Sequence, residues 1–303
     1  MRPISLATAA ALALPWALPA QTLDDSLPPG VNYDVAQFRL WTPPGVGHIR
    51  EVLVLVPGSN GDGRAMAQDS AWQAFAARHD AAIVACRFTD KPHDQGFIEN
   101  YVNVSQGSGQ ALLDAIARFA DRGHHPEMAA APLLMWGMSA GGQFDYEFAA
   151  WKPERVIAFV VNKGGIYYTA LTPRATRHIP ALLFIGGKDL EQRVETITGL
   201  FAVNRRGGAL WALVNEPAAT HIVGRSKDMS IAFFDDVLPM RLDSASGALR
   251  TIDERAGWIA DPHTKEIRAA GATRPPNYPT TWLPTERVAK AWKAVETETP
   301  FAP

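Results

Sequence analysis

Apolar residues recur along the chain in short runs, at 52–56, 81–86, 133–136, 156–161, 181–185 and 210–214. Each run has the length of a strand and is dominated by Val, Leu, Ile and Ala. None shows the polar alternation of a strand with one wet face, so each is expected to be buried on both sides. Segments with helical spacing lie between and after them, at 65–78, 109–121, 141–151, 190–204 and 226–238. Parallel strands need long crossovers, and helices of this length supply them. The pattern predicts an α/β fold with a mostly parallel central sheet and helices on both faces. In such sheets ligands gather outside the carboxyl ends of the strands.

The flanks read differently. Residues 32–41 alternate in part and suit an antiparallel edge strand, stopped by the turn Thr42-Pro43-Pro44-Gly45. Before them, Arg2 precedes an apolar stretch over 4–18 that ends Leu18-Pro19-Ala20 ahead of the polar Gln21. Pro15 and Pro19 would interrupt a helix of the fold, whereas the charge order and length match a secretory signal peptide cut near Ala20. From about Met240 the pattern loses its core runs, and only 285–295 looks helical. Trp258, Trp282 and Trp292 are expected to pack this tail onto the main body. The expected organisation is a signal peptide over 1–20, an α/β domain over 21–239 and a C-terminal extension over 240–303. The protein would then be secreted or periplasmic, with no membrane span once the leader is removed.

Composition narrows the function classes. The chain is 47% hydrophobic and 20% charged, a balance that suits a folded globular protein. A net charge of -2 without a basic stripe gives nucleic acid no electrostatic footing. The single cysteine, Cys86, rules out an intramolecular disulfide; within its apolar run it reads as a buried strand thiol rather than a nucleophile. No paired His/Cys ligand spacing appears, so no metal is implied. The Gly-rich loop Pro57-Gly58-Ser59-Asn60-Gly61-Asp62-Gly63 lacks both the dinucleotide and the P-loop spacing, and Asp62 would repel phosphate. No cofactor is expected.

The run at 133–136 leads straight into Gly137-Met138-Ser139-Ala140-Gly141-Gly142 and then into a helical segment. The pattern G-x-S-x-G between a strand and a helix fits a nucleophile elbow, whose glycines tolerate close contacts while the serine hydroxyl stays exposed. A serine needs a base, and the base needs a carboxylate to fix its tautomer. Asp189 follows the run at 181–185 through Gly186-Gly187-Lys188, and His221 follows the run at 210–214. Asp189 could instead cap the next helix, and Glu191 and Asp235 are weaker acid candidates. Seven other histidines, at 48, 79, 93, 124, 125, 178 and 263, fall mostly in polar loops or at helix ends. Donors to an oxyanion are expected from the backbone N–H of Ala140 and from the 57–63 loop, with Ser59 first and Asn60 second.

With V-L-V-L-V-P-G-S-N-G-D-G, M-W-G-M-S-A-G-G-Q-F, F-I-G-G-K-D and A-A-T-H in that order, the chain resembles α/β-hydrolase serine esterases. Within them it is similar to the poly(3-hydroxybutyrate) depolymerase and feruloyl esterase group. The resemblance covers roughly 32–238. It departs from that group in carrying Pro57-Gly58 where a His-Gly pair is common, and in its lone cysteine. It implies ester hydrolysis through an acyl-enzyme on Ser139, with a small-molecule or polymeric ester as partner. A serine peptidase would use the same residues, and a catalytically inert binding protein could share the fold. The short connection from 162 to the next strand leaves little room for a helical cap, so an open cleft is expected. Tyr167 and Tyr168 are its candidate substrate-binding walls; Trp136 fits a wall or the core.

Overall fold

In a computed structural model of the chain, residues 19–96, 98–243, 245–271 and 278–301 are described. Most of the expected leader, 1–18, lies outside them. Among the described residues no helix is long and apolar enough to cross a membrane.

Eight strands form the main sheet: β1 (Gln21–Leu27), β2 (Val35–Thr42), β3 (Glu51–Val56), β4 (Ala81–Thr89), β5 (Leu133–Met138), β6 (Val156–Asn162), β7 (Ala181–Gly186) and β8 (Trp211–Glu216). Their order is β1-β2-β4-β3-β5-β6-β7-β8. The strands from β3 to β8 are mutually parallel, while β1 and β2 run antiparallel at one side. All six apolar runs are therefore the parallel strands, and the fold is α/β as expected. One expectation needs correction: β2 is antiparallel but not an edge strand, because β1 pairs along its outer side.

The parallel strands are buried on both faces, and their side chains divide by the period of two that a pleated strand imposes. Val52, Val54 and Val56 of β3 face one core layer, and Leu53 and Leu55 face the other. Helices α2 (Ser108–Arg122), α3 (Ala140–Trp151) and α5 (Glu191–Arg206) cover the first face. Helices α1 (Ser70–His79) and α6 (Ser226–Arg241) cover the second, joined by the C-terminal α7 (Glu286–Glu296). A single-turn helix, α4 (Arg174–Arg177), precedes β7. The helix expected over 65–78 is split: a 3-10 turn over Arg64–Gln68 stops at Asp69, whose extended backbone lets its carboxylate accept from the amides of Ala71 and Trp72 at 3.0 and 3.2 Å. That cap starts α1 afresh.

The segment after Met240 forms a three-stranded antiparallel sheet, β9 (Trp258–Ala260), β10 (Ile267–Ala269) and β11 (Thr281–Leu283), followed by α7. It lies along the outer side of β8. The Trp292 indole donates to the Leu213 carbonyl at 2.7 Å, and Glu296 accepts the Asn215 amide at 2.7 Å. An exposed strand edge is a template for unwanted pairing, and this segment covers one. Trp282 and Trp292 are fully buried, Trp258 partly so.

Candidate active site

The sheet order reverses between β3 and β5, so the chain leaves the carboxyl ends of these neighbours in opposite directions. A crevice opens there. The 57–63 loop leaves β3 on one side of it, and Ser139 follows β5 on the other.

Ser139 sits at φ 56°, ψ −120°, a conformation that non-glycine residues rarely adopt, at the N-terminus of α3. Its amide donates to the Asn162 carbonyl at 2.8 Å and its carbonyl accepts from the Gln143 amide at 3.1 Å, so the strained residue is held at both ends. The flanking glycines make the turn possible. A Cβ on Gly137 would lie 2.2 Å from the Gly141 backbone, and one on Gly141 would lie 2.2 Å from the Val56 carbonyl oxygen. The elbow is thus pressed against the end of β3.

His221 Nε2 lies 2.9 Å from Ser139 Oγ, and His221 Nδ1 lies 2.7 Å from Asp189 Oδ2. The other carboxylate oxygen of Asp189 accepts from the Leu190 amide at 2.7 Å and from Arg193 at 3.1 Å. Burial pushes the Asp189 carboxyl up, but the hydrogen bond with His221, together with those from Leu190 and Arg193, outweighs it and holds the group below its ordinary value. Asp189 is therefore ionised at neutral pH, and its side chain is only 3% exposed. An ionised carboxylate on Nδ1 favours the proton there, leaving Nε2 free to accept from the serine hydroxyl.

Two loops must meet to make this contact. Gly187 and Lys188 donate to the carbonyls of Glu216 and Ala219, both at 2.9 Å, zipping the Asp189 loop to the His221 loop. A Cβ on Gly186 or Gly187 would meet backbone of the His221 loop at 2.6 or 2.4 Å, so these glycines permit the approach. Beneath lies a buried ion pair, Lys163 with Glu216; Glu216 also accepts the Arg225 amide, and Lys163 donates to Asn162 Oδ1 at 3.0 Å. The loop between Glu216 and Arg225 carries His221.

The structure separates the other predicted residues. The Ala140 amide opens α3 and is free of the helix's own hydrogen-bond ladder. The Ser59 amide has no partner among the described residues, whereas the Asn60 amide donates to the Tyr101 hydroxyl at 3.3 Å. Asn60 is thus the occupied donor of the two. Tyr167 and Tyr168 do not reach the crevice. The ring of Tyr167 packs edge-on against Tyr146 at 4.9 Å, and Tyr168 lies exposed on the far side of the same loop. Glu147 of α3 fixes that arrangement by accepting from the amides of Tyr168 and Thr169 at 2.7 and 2.9 Å. Trp136 is buried beside Trp72, in the core. Asp235 belongs to a distant pair with His79 at 2.6 Å, and Glu191 begins α5.

A cleft of about 560 Å³ surrounds Ser139 and His221. Its remaining walls include Ser59, Glu99, Gln143, Gly165, Ile166 and Arg193. Of these, only Ser59 stands out in the sequence; Gln143 follows the serine by four residues, one turn along a helix that also carries Asp145 and Glu147. Only 18 residues separate β6 from β7, with the single turn of α4 between them, so among the described residues no helical cap is inserted there. Among the described residues no cluster of three or more His, Cys, Asp or Glu could hold a metal ion.

No protein-family model and no curated protein matches the chain. Solved structures do. A ferulic acid esterase superposes with a TM-score of 0.53 at 10% identity, over 74% of this chain and 98% of its own. The poly(aspartic acid) hydrolase-1 of Sphingomonas sp. KT-1 superposes with a TM-score of 0.51 at 14% identity, over 72% and 98%. At such identities the likeness concerns architecture alone. Strand order, elbow and structural neighbours agree that this chain has the α/β-hydrolase fold.

Proposed function

We propose that the protein is a serine hydrolase that cleaves carboxylic esters through an acyl-enzyme on Ser139. The observation that carries this is the continuous hydrogen-bonded chain from Ser139 Oγ through His221 to Asp189. His221 Nε2 takes the hydroxyl proton as Oγ attacks the ester carbonyl, and Asp189 stabilises the imidazolium that forms. The amides of Ala140 and Ser59 hold the oxyanion, the first aided by the positive end of α3. His221 then protonates the departing alkoxide. Water, activated by the same imidazole, releases the acid and restores Ser139.

The apolar leader over 4–18 supports export to the cell exterior or the periplasm. The uncapped cleft suits a small ester or the chain of a polymer. Hydrolysis of p-nitrophenyl butyrate tests the reading. The unmodified protein turns it over and leaves the corresponding p-nitroanilide nearly untouched, while Ser139→Ala, folded by circular dichroism, is inactive. An active Ser139→Ala variant overturns the proposal, and preferred anilide cleavage makes it a peptidase.

A further inference from the structure

Gln143 lies one helical turn after Ser139, on the face of α3 that borders the cleft. It is 4% exposed, and its side-chain carbonyl accepts the Gly165 amide at 2.8 Å. That bond fixes which end of the amide group is which. The other end, Nε2, is buried without a hydrogen-bond partner among the described residues. A buried donor left unpaired costs about 1–3 kcal/mol, so it needs a reason to stay there. Packing does not demand it: the rest of that helix is held by Phe144, Phe148 and Glu147, and a methionine would fill the same volume.

The neighbours of this amide are polar as well. A Cβ on Gly165 would lie 3.4 Å from Arg193 Nε and 3.7 Å from Gln143 Oε1, so Gln143 and Arg193 flank one glycine on one wall. Of the Arg193 donors, one is spent on Asp189. Ile166 borders the cleft beside Gly165, so this wall sets two polar side chains next to one apolar one.

Resting on the esterase reading of Ser139, we propose that Gln143 is a specificity-determining residue whose Nε2 donates to an uncharged oxygen of the substrate near the scissile ester. The preferred esters carry an ether, hydroxyl or carbonyl oxygen where a plain alkyl ester has a methylene. Binding such a substrate satisfies the buried donor; binding an alkyl chain leaves it orphaned. A site that hydrogen-bonds an oxygen discriminates against the analogue lacking it for this reason.

Isosteric pairs test the inference. On the acyl side, p-nitrophenyl methoxyacetate is compared with p-nitrophenyl butyrate; on the alcohol side, 2-methoxyethyl butyrate is compared with butyl butyrate. Intrinsic reactivity cancels when each kcat/KM ratio is taken relative to the unmodified protein. Gln143→Met removes both ends of the amide, whereas Gln143→Glu keeps an acceptor for Gly165 and removes only the donor. Both variants are expected to lower the oxygen-to-methylene ratio of one pair by about three- to tenfold, the worth of one neutral hydrogen bond. The pair that responds identifies the side of the ester that faces Gln143. Equal losses on all four esters in Gln143→Met, with recovery in Gln143→Glu, would mean that Gln143 only anchors Gly165, and would overturn the inference. Unchanged ratios in both variants would overturn it too. Absence of turnover by the unmodified protein on every ester would instead remove the esterase reading, and this inference with it.

Discussion

Replacing Lys163 with methionine probes what holds the His221 loop in place. The Lys163 side chain is 0% exposed and that of Glu216 is 6% exposed, so the mutation strands a carboxylate in the interior with only the Arg225 amide as partner. Removing one member of a buried ion pair costs about 3–5 kcal/mol, most of it the penalty of the charge left behind. At about 2–4 °C per kcal/mol for a domain of this size, the melting temperature falls by roughly 6–20 °C. The double variant Lys163→Met with Glu216→Gln removes the stranded charge while keeping an acceptor for Arg225. It is expected to be more stable than Lys163→Met alone, with a coupling of about 2 kcal/mol or more in a double-mutant cycle. Urea unfolding followed by circular dichroism at pH 7 measures all four corners. A single variant that loses less than about 1 kcal/mol, or a double variant whose loss equals the sum of the two singles, would refute the reasoning from the uncompensated charge.

Three further outcomes follow from particular contacts. Gly141→Ala forces a methyl into the space 2.2 Å from the Val56 carbonyl, so a loss of at least about 1–3 kcal/mol is expected in the same unfolding assay; unchanged stability would contradict the close approach. Burial, which leaves both carboxylate oxygens of Glu51 unpartnered, pushes its carboxyl up to about 8, so between about pH 4.5 and 8 the native state keeps a proton that the unfolded chain has lost. Stability then falls as pH rises through that window, by up to about 5 kcal/mol, and Glu51→Gln should flatten the fall; parallel pH profiles for the two proteins would argue against it. Asp189→Asn presents an amide to His221 Nδ1 and favours the wrong tautomer, which is expected to lower kcat for p-nitrophenyl butyrate by about 10³–10⁴-fold with little change in fold; near-normal kcat would remove Asp189 from the mechanism.

The parallel strands were legible because burial on both faces leaves unbroken apolar runs. Strand β1 was not. Its inward positions include Asp25, which is paired with Arg118 at 2.8 Å, so its alternation does not read as apolar against polar. Asp69 hid the break between the 3-10 turn and α1, since a cap inside a helical pattern looks like one more polar position. The placement of Ser139, Asp189 and His221 after their strands could be read from chain order, because the parallel sheet brings all carboxyl ends to one edge. The cleft walls could not. Tyr167 and Tyr168 lie near the site in sequence, but Glu147 holds the Tyr168 amide and Tyr146 takes the Tyr167 ring, leaving Gly165 and Ile166 to border the cleft. Gln143 is not legible as a wall because a polar residue on a helix is expected to face water, whereas α3 is buried nearly all round.

The central claim concerns the reactivity of one hydroxyl, and labelling with a fluorophosphonate followed by peptide mass mapping tests it most directly. Ser139 is expected to take up one equivalent of the reagent, with the adduct confined to its own peptide, lost in Ser139→Ala and slowed at least about a hundredfold in His221→Ala, where the base is gone. A folded protein that takes up no reagent, or takes it up at another residue while hydrolysing esters at full rate, would contradict the account.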